Sequence, residues 1–490
     1  MSLTPESIVD SRGFFWPSRH VVPDGRFAPP SAVPGRLRID EGGTSWLDLD
    51  VPLASDEPGG AAARLFPQGA LKEAIAGVLA GTDERVFLFD LVDNGGSFRA
   101  YGPSPDSYLS YRCLVFPPGG MFGENASFRW LELDLEGYSE WLGRPRIRAT
   151  RSARAISAKY LKSTPTSWEV AGRKLEVHHF LSGRYSDRMA KLDWSDRALL
   201  RIGGGRSSFK AEEAVTLSGQ VQDLLILLAD CDRGLNFPSL RVGRKTPAVK
   251  LYYSRGVRRG KPAEWHKAWA PFESIRESFG SILATWLERY DQVGPGFHLY
   301  LGNRRGNPMY PEHRFASLVW GLEALHRSLD LQEPNKKLEA KVGRILNDIK
   351  RSADRKWAER LLPLSDEPPL STRIAQLVAG LPLDLDREEV ELFAQRCAGK
   401  RNDVSHFGGV RAPGEYDAFL KDILALNAAL DLLYHAILLQ QVDVSAELIR
   451  RRFIGGLHSY GAAAVLLEAG LTLPGEPEDV DARAAVEPAP

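Results

Sequence analysis

A chain of 490 residues exceeds what one hydrophobic core usually organises, so two or three domains are expected, each large enough to need no disulfide or metal staple. Its 63 basic and 63 acidic side chains cancel, which excludes a whole-molecule field pulling it toward nucleic acid or anionic membrane and makes any polyanion site local. Three cysteines, Cys113, Cys231 and Cys397, are too few and too scattered for a disulfide framework or a CxxC metal site, and a reducing cytoplasm is the expected compartment.

The opening MSLTPESIVDSRGFFWP has acids where a secretory signal carries an apolar core, and it lacks a basic leader. Up to about residue 300 the chain is rich in Gly, Pro and Trp. It breaks into short apolar runs such as SWLDLDV, RVFLFDLV, FRWLELDL and VKLYYS, the pattern of a β-rich region in two sheets. Inside that region DLLILLADC and SIRESFGSILATWLERY read as helices packed on the sheets. The second spaces Ile275, Phe279, Ile282, Leu283 and Trp286 along one stripe.

Two stretches there are basic without an intervening acid: 144–162, with seven Lys or Arg, and 241–263, with eight. Each suits a surface that tracks phosphates, with Tyr252 and Tyr253 beside the second to stack bases, and each suits a solvated strand edge equally well. GGGRSS at 203–208 lacks the lysine of a phosphate-binding loop and reads as a turn.

From about Pro308 the period becomes helical, with Phe315, Leu318, Val319, Leu322 and Leu325 on one stripe of HRFASLVWGLEALHRSL. Helical segments follow to the long FLKDILALNAALDLLYHAILLQQ, interrupted at DEPP, 366–369. Charges at Lys421, Asp422 and Asp431 argue against that long segment spanning a bilayer. Asp386 before Arg387, Glu388 and Glu389 is a helix N-cap with acids in the first turn. The expected organisation is an α+β multidomain chain: a β-rich region 1–300, possibly of two subdomains, an all-α bundle 305–475, and a disordered acidic tail 476–490.

The run CAGKRNDVSHFGGV places Arg401, Asn402, Asp403, Ser405 and His406 in an apolar helical pattern. Arg401 falls on the stripe of Val390, Phe393 and Cys397, where an unpaired charge is costly. His406 is rotated from it by roughly 140° on a regular helix, Gly399 is a point where the helix could loosen, and Gly408-Gly409 should end it. A histidine that titrates near neutrality and an arginine that grips phosphate suit phosphodiester cleavage. The plainer alternative is an arginine paired to a core carboxylate and a histidine at a helix C-terminus.

RNDVSH matches the R-polar-x3-H signature of HEPN ribonucleases. Its place after an EALHR-bearing helix resembles the ApeA-like HEPN branch, as do PGRLRIDEGGTSWLDLD and SFRWLELDLEGYSEWLG in the first half of the chain. The resemblance implies an all-α HEPN bundle acting as a metal-independent endoribonuclease on cellular RNA, with tRNA as one candidate, without cofactor, in abortive defence against phage. It implies that Arg401 binds the scissile phosphate, Asn402 orients the site and His406 transfers protons, with Glu323 and His326 in support. Arg396, Lys400, Arg450, Arg451 and Arg452 are the expected RNA contacts in that domain. The implied partners are RNA, a second copy of the chain across the motif in a homodimer or higher even oligomer, and a phage-encoded trigger sensed by the β-rich region; no membrane is expected. The competing class is a HEPN-like module that only dimerises or binds RNA.

Overall fold

Alternating apolar and polar residues build fifteen strands among the described residues: β1 (Ser7–Pro17), β2 (Val33–Asp40), β3 (Ser45–Leu49), β4 (Ala70–Leu71), β5 (Ile75–Leu79), β6 (Arg85–Gly96), β7 (Asp106–Phe116), β8 (Trp130–Asp134), β9 (Ile147–Arg151), β10 (Ile156–Tyr160), β11 (Thr166–Val170), β12 (Arg173–Tyr185), β13 (Leu192–Gly203), β14 (Ser239–Arg241) and β15 (Val249–Tyr253). The computed structural model describes residues 7–53, 70–71, 73–96, 105–119, 126–143, 146–153, 155–162, 164–185, 192–203, 208–256, 260–305, 309–329, 336–361, 368–406 and 415–474. The tail 476–490, most of GGGRSS and the pair Gly408-Gly409 lie outside the described residues. By its contacts the chain divides into two units, Met1–Trp265 and His266–Pro490.

In the first unit thirteen strands form one sheet, ordered β11-β12-β13-β8-β14-β15-β7-β3-β2-β1-β5-β6-β4. Because β6 also pairs with β7, the run β7-β3-β2-β1-β5-β6 closes on itself as a barrel. Phe15, Leu37, Ile39, Leu47, Leu88 and Cys113 are among its buried core. A second, two-stranded sheet pairs β9 with β10, and within the large sheet β7 joins the barrel to the open part. Residues 106–110 of that strand pair with β3, residues 112–115 pair with β15, and the change of partner falls at Tyr111. One long strand thereby serves both barrel and open sheet. Helix α1 (Ala211–Ala229) adds a buried stripe of Leu217, Val221, Leu224 and Leu228, as the DLLILLADC run indicates.

The second unit contains α2 (Phe279–Arg305), α3 (Pro311–Ser328), α4 (Lys336–Asp348), α5 (Ser352–Leu361), α6 (Leu370–Ala379), α7 (Arg387–His406), α8 (Glu415–Gln441), α9 (Ala446–Phe453) and α10 (Ser459–Glu468). A β-rich region followed by a helical one is thus the observed fold class. The transition differs from the sequence expectation, because α2 runs through Pro295 and packs on α3 as part of the helical unit. Pro295 removes one N–H from the helix ladder, and close contact with α3 offsets that loss. A Cβ on Gly296 would lie 2.7 Å from Leu325 Cβ and 2.8 Å from the Gly321 carbonyl oxygen, so only glycine allows this approach. Tyr434 of α8 seals the junction by donating its hydroxyl to the Gly296 carbonyl at 2.8 Å.

Helix α8 is long and apolar enough over Tyr416–Gln441 to cross a membrane, but 72% of its apolar window is buried inside the unit. It packs on α2, α3, α6, α9 and α10. The stripes expected on α2 and α3 are buried: Trp286, Phe315, Leu318, Val319, Leu322 and Leu325 are all core residues.

Gly296→Ala should force α2 and α3 apart and lower stability by about 1–3 kcal/mol, the usual cost of overpacking. Denaturant unfolding checks this, and a midpoint matching the wild type would disprove the close-packed junction.

Candidate functional site

Helix α7 begins where its sequence says it should. The Asp386 carboxylate accepts from the N–H groups of Glu388 at 2.9 Å and Glu389 at 3.1 Å, which satisfies two donors that a helix start leaves open. Val390, Phe393, Ala394 and Cys397 then follow as a buried stripe. Burial pushes the Cys397 thiol far above its ordinary pKa, so the cysteine of this run is a core residue and no nucleophile.

Arg401 comes next on the stripe, with its side chain 25% exposed. One guanidinium nitrogen lies 3.6 Å from Glu323 on α3, an ion-pair distance too long for a hydrogen bond, and Nη1 donates to Asn402 Oδ1 at 3.3 Å. The buried Nε has no hydrogen-bond partner among the described residues. Glu323 is itself shared, standing 3.1 Å from Arg327 one turn along α3. The arginine therefore sits in a half-buried setting with donors left over, the condition under which an incoming anion binds most strongly.

The helix stays regular to its last residue, His406, and Gly399 does not interrupt it. The side chain of His406 lies outside the described residues. Five residues of regular helix turn through roughly 140° and rise about 7.5 Å, so the Cα–Cβ directions of Arg401 and His406 diverge within one chain. Asn402 and Ser405 are exposed, and Asp403 is half-buried.

The two supporting residues separate. Glu323 reaches Arg401, whereas His326 is 0% exposed and donates from Nε2 to Gln376 Oε1 at 2.6 Å. Burial lowers its pKa, only partly offset by that hydrogen bond, so His326 is a neutral core histidine joining α3 to α6. The three-residue offset rotates His326 from Glu323 by roughly 60° about α3 and turns it inward.

The five expected RNA contacts also divide. Arg396 and Lys400 both pair with Asp422 of α8, Lys400 at 3.0 Å, and Arg396 donates to the Ala469 carbonyl at 2.7 Å at the end of α10. Burial would raise the Asp422 pKa, but hydrogen bonds from Arg396 and Lys400 outweigh it and hold the carboxyl below its ordinary value. Arg450 pairs with Asp384 just ahead of α7, and Arg452 donates to the Lys267 carbonyl at 3.2 Å with its charge over the Trp269 ring. Asp384 precedes the helix start, and the fourteen residues from Arg387 to Arg401 span roughly 21 Å, so Arg450 is anchored at the end of α7 opposite the motif. Arg451 is exposed.

Sequence reasoning missed Asp422 as a clasp. Its signal was an acid within the apolar run of one helix, matched to two cations spaced i, i+4 on another. Among the described residues no group of three His, Cys, Asp or Glu is placed to hold a metal. A cleft of about 440 Å³ between α2, α3, α6 and α8 is lined by Arg289, Gln376 and Gln440 among others, but by neither Glu323 nor Arg401.

Residues 316–448 match the family model described as Apea-like HEPN. The helical unit carries an ApeA-like HEPN domain. No curated protein and no solved structure gives a match. The matched span starts in α3 and ends in α9, so it contains Glu323, Arg401, Asn402, His406 and Asp422 and stops just short of Arg450. A HEPN domain points to a nuclease or RNA-related role in defence.

Asp422→Asn should loosen the clasp between α7 and α8 and cost about 1–2 kcal/mol in denaturant unfolding. Because the folded pKa lies below the ordinary carboxylate value of about 3.9, this stabilisation is fully present above that value and is lost as pH falls through the lower folded one. A mutant whose stability equals the wild type at pH 7 would rule the clasp out.

Proposed function

We propose that the HEPN domain is a metal-independent endoribonuclease of the cytoplasm, acting as a homodimer in defence against phage, with the β-rich unit sensing the trigger. The observation that carries this reading is Arg401: half-buried, loosely held by Glu323, and carrying a buried N–H without a partner among the described residues. In the reaction an RNA 2′-hydroxyl attacks the adjacent phosphorus. The new O–P bond forms as the bond to the 5′-oxygen breaks, leaving a 2′,3′-cyclic phosphate and a 5′-hydroxyl. Arg401 stabilises the charge that gathers on the phosphoryl oxygens, Asn402 steadies the guanidinium through its side-chain oxygen, and His406 moves a proton. Since Arg401 and His406 diverge on one helix, we assign the two roles in each site to different chains. Of the five expected RNA contacts, Arg451 is exposed and makes no ion pair among the described residues.

One observation favours the second reading, a dimerising or RNA-binding module without catalysis: Glu323 already supplies Arg401 with a negative charge.

Arg401→Ala and His406→Ala should each reduce cleavage about 10²–10⁴-fold, while EDTA leaves the wild type unaffected. Co-expressing the two mutants then tests the shared site, because a mixed dimer keeps one complete Arg401–His406 pair. With random pairing roughly a quarter of wild-type activity should return; no recovery in a verified mixed dimer means that each site lies within one chain. Cleavage by either single mutant at the wild-type rate would overturn the roles assigned to Arg401 and His406, and no cleavage by the wild type would favour the non-catalytic reading.

A further inference from the structure

The two acid-free basic stretches meet different fates. In the second, four of the eight cations are engaged within the first unit: Arg241 pairs with Glu132 at 2.9 Å, Arg244 with Glu176 at 3.3 Å, Lys250 donates to Ser239 Oγ at 2.9 Å, and Arg255 lies 3.9 Å from the centre of the Phe237 ring. Tyr252 and Tyr253 pack against the same Phe237, and burial raises the Tyr252 phenol to about 12. Neither ring is placed to stack on a base.

The first stretch becomes β9 and β10, an antiparallel two-stranded ribbon separate from the thirteen-stranded sheet. Along β9 every residue after Ile147 is exposed. A two-stranded ribbon is marginal in water by itself, and this one carries an added cost. Its register sets Arg148 directly opposite Lys159, and like charges in that position repel. Neither residue, nor exposed Arg151 or Lys162, makes an ion pair among the described residues. On the same face two residues further along, roughly 7 Å, Thr150 Oγ1 and Ser157 Oγ meet at 2.6 Å. The base of the ribbon is fastened, with the Arg146 N–H donating to Asp196 Oδ2 at 3.0 Å and the Leu161 N–H to the Arg146 carbonyl at 2.9 Å. The result is an exposed face of unneutralised cations and hydroxyls, fastened at its base.

We propose that the β9–β10 ribbon binds the phosphate backbone of RNA, independently of sequence, through Arg148 and Lys159 with Thr150 and Ser157 donating alongside. The choice of RNA over another polyanion rests on the nuclease reading of the HEPN domain. Cations neutralise phosphates and release counterions, hydroxyls donate to phosphate oxygens, and a phosphate between Arg148 and Lys159 turns their repulsion into attraction to a shared anion.

The test uses the full chain with His406→Ala, so that RNA is bound and not cut, and a fluorescein-labelled RNA hairpin titrated at several KCl concentrations. Arg148→Glu is the decisive variant. It places opposite charges in cross-strand register, so the ribbon should keep or gain thermal stability, while RNA affinity falls about tenfold or more and the slope of log K against log salt flattens by roughly one or more. Lys159→Gln, on the same face, should weaken binding in the same direction. Unchanged affinity and salt slope in both variants overturns the proposal, as does the absence of RNA binding by the parent, or loss of binding to phosphatidylglycerol vesicles with RNA binding intact. Cleavage by the wild-type chain is read separately. Ribbon-dependent binding without cleavage upholds the ribbon and defeats the nuclease reading, and cleavage with ribbon-independent binding does the reverse.

Discussion

Burial of α8 sets the geometry of the helical unit. An apolar helix of this length cannot be left in water, and five other helices cover it. That packing fixes Asp422, which in turn grips Arg396 and Lys400 and sets the rotation of α7 about its own axis. With Val390, Phe393 and Cys397 held in the core, the same rotation brings Arg401 to Glu323 of α3. The position of the candidate phosphate-binding arginine is therefore a consequence of how α8 is buried.

Arg401 is distinguished from the other cations nearby by how incompletely it is neutralised. Arg396, Lys400 and Arg450 each meet a carboxylate at 3.0 Å or less, whereas Arg401 stands 3.6 Å from one already shared with Arg327. A charge half withdrawn from water and only partly answered interacts more strongly with an added anion than a fully solvated one does. The same reasoning separates the two basic stretches of the β-rich unit. Glu132 and Glu176, both buried, absorb Arg201, Arg241, Lys174 and Arg244, while the β9–β10 ribbon has no carboxylate paired to its central cations among the described residues.

Much of this is readable in one dimension because it depends on local rules. The helical stripes of α2 and α3, the Asp386 cap and the place of Arg401 on the apolar face of α7 follow from the period of the helix and from the open donors at its start. The change from β-rich to helical composition is equally plain, although the helical unit begins before the residue where the pattern becomes unmistakable. The continuity of α2 through Pro295 is not a local property, since the loss of one N–H is visible in sequence and the compensating contact with α3 is not.

By itself, then, the sequence determined the fold class, the helix carrying the RNDVSH motif and the side of that helix on which a charge would be strained. Tertiary structure alone decided the pairing of β6 with β7 that closes a barrel, the partner change by which β7 joins it to the open sheet, the inward turn of His326, and the choice of Glu323 as the neighbour of Arg401. It also decided which basic residues are spent and which remain open. The physical reason is common to all of these. Periodicity and capping act over a few residues of chain, whereas a charge is neutralised by whatever carboxylate the fold brings within a few ångströms of it, from any distance along the chain.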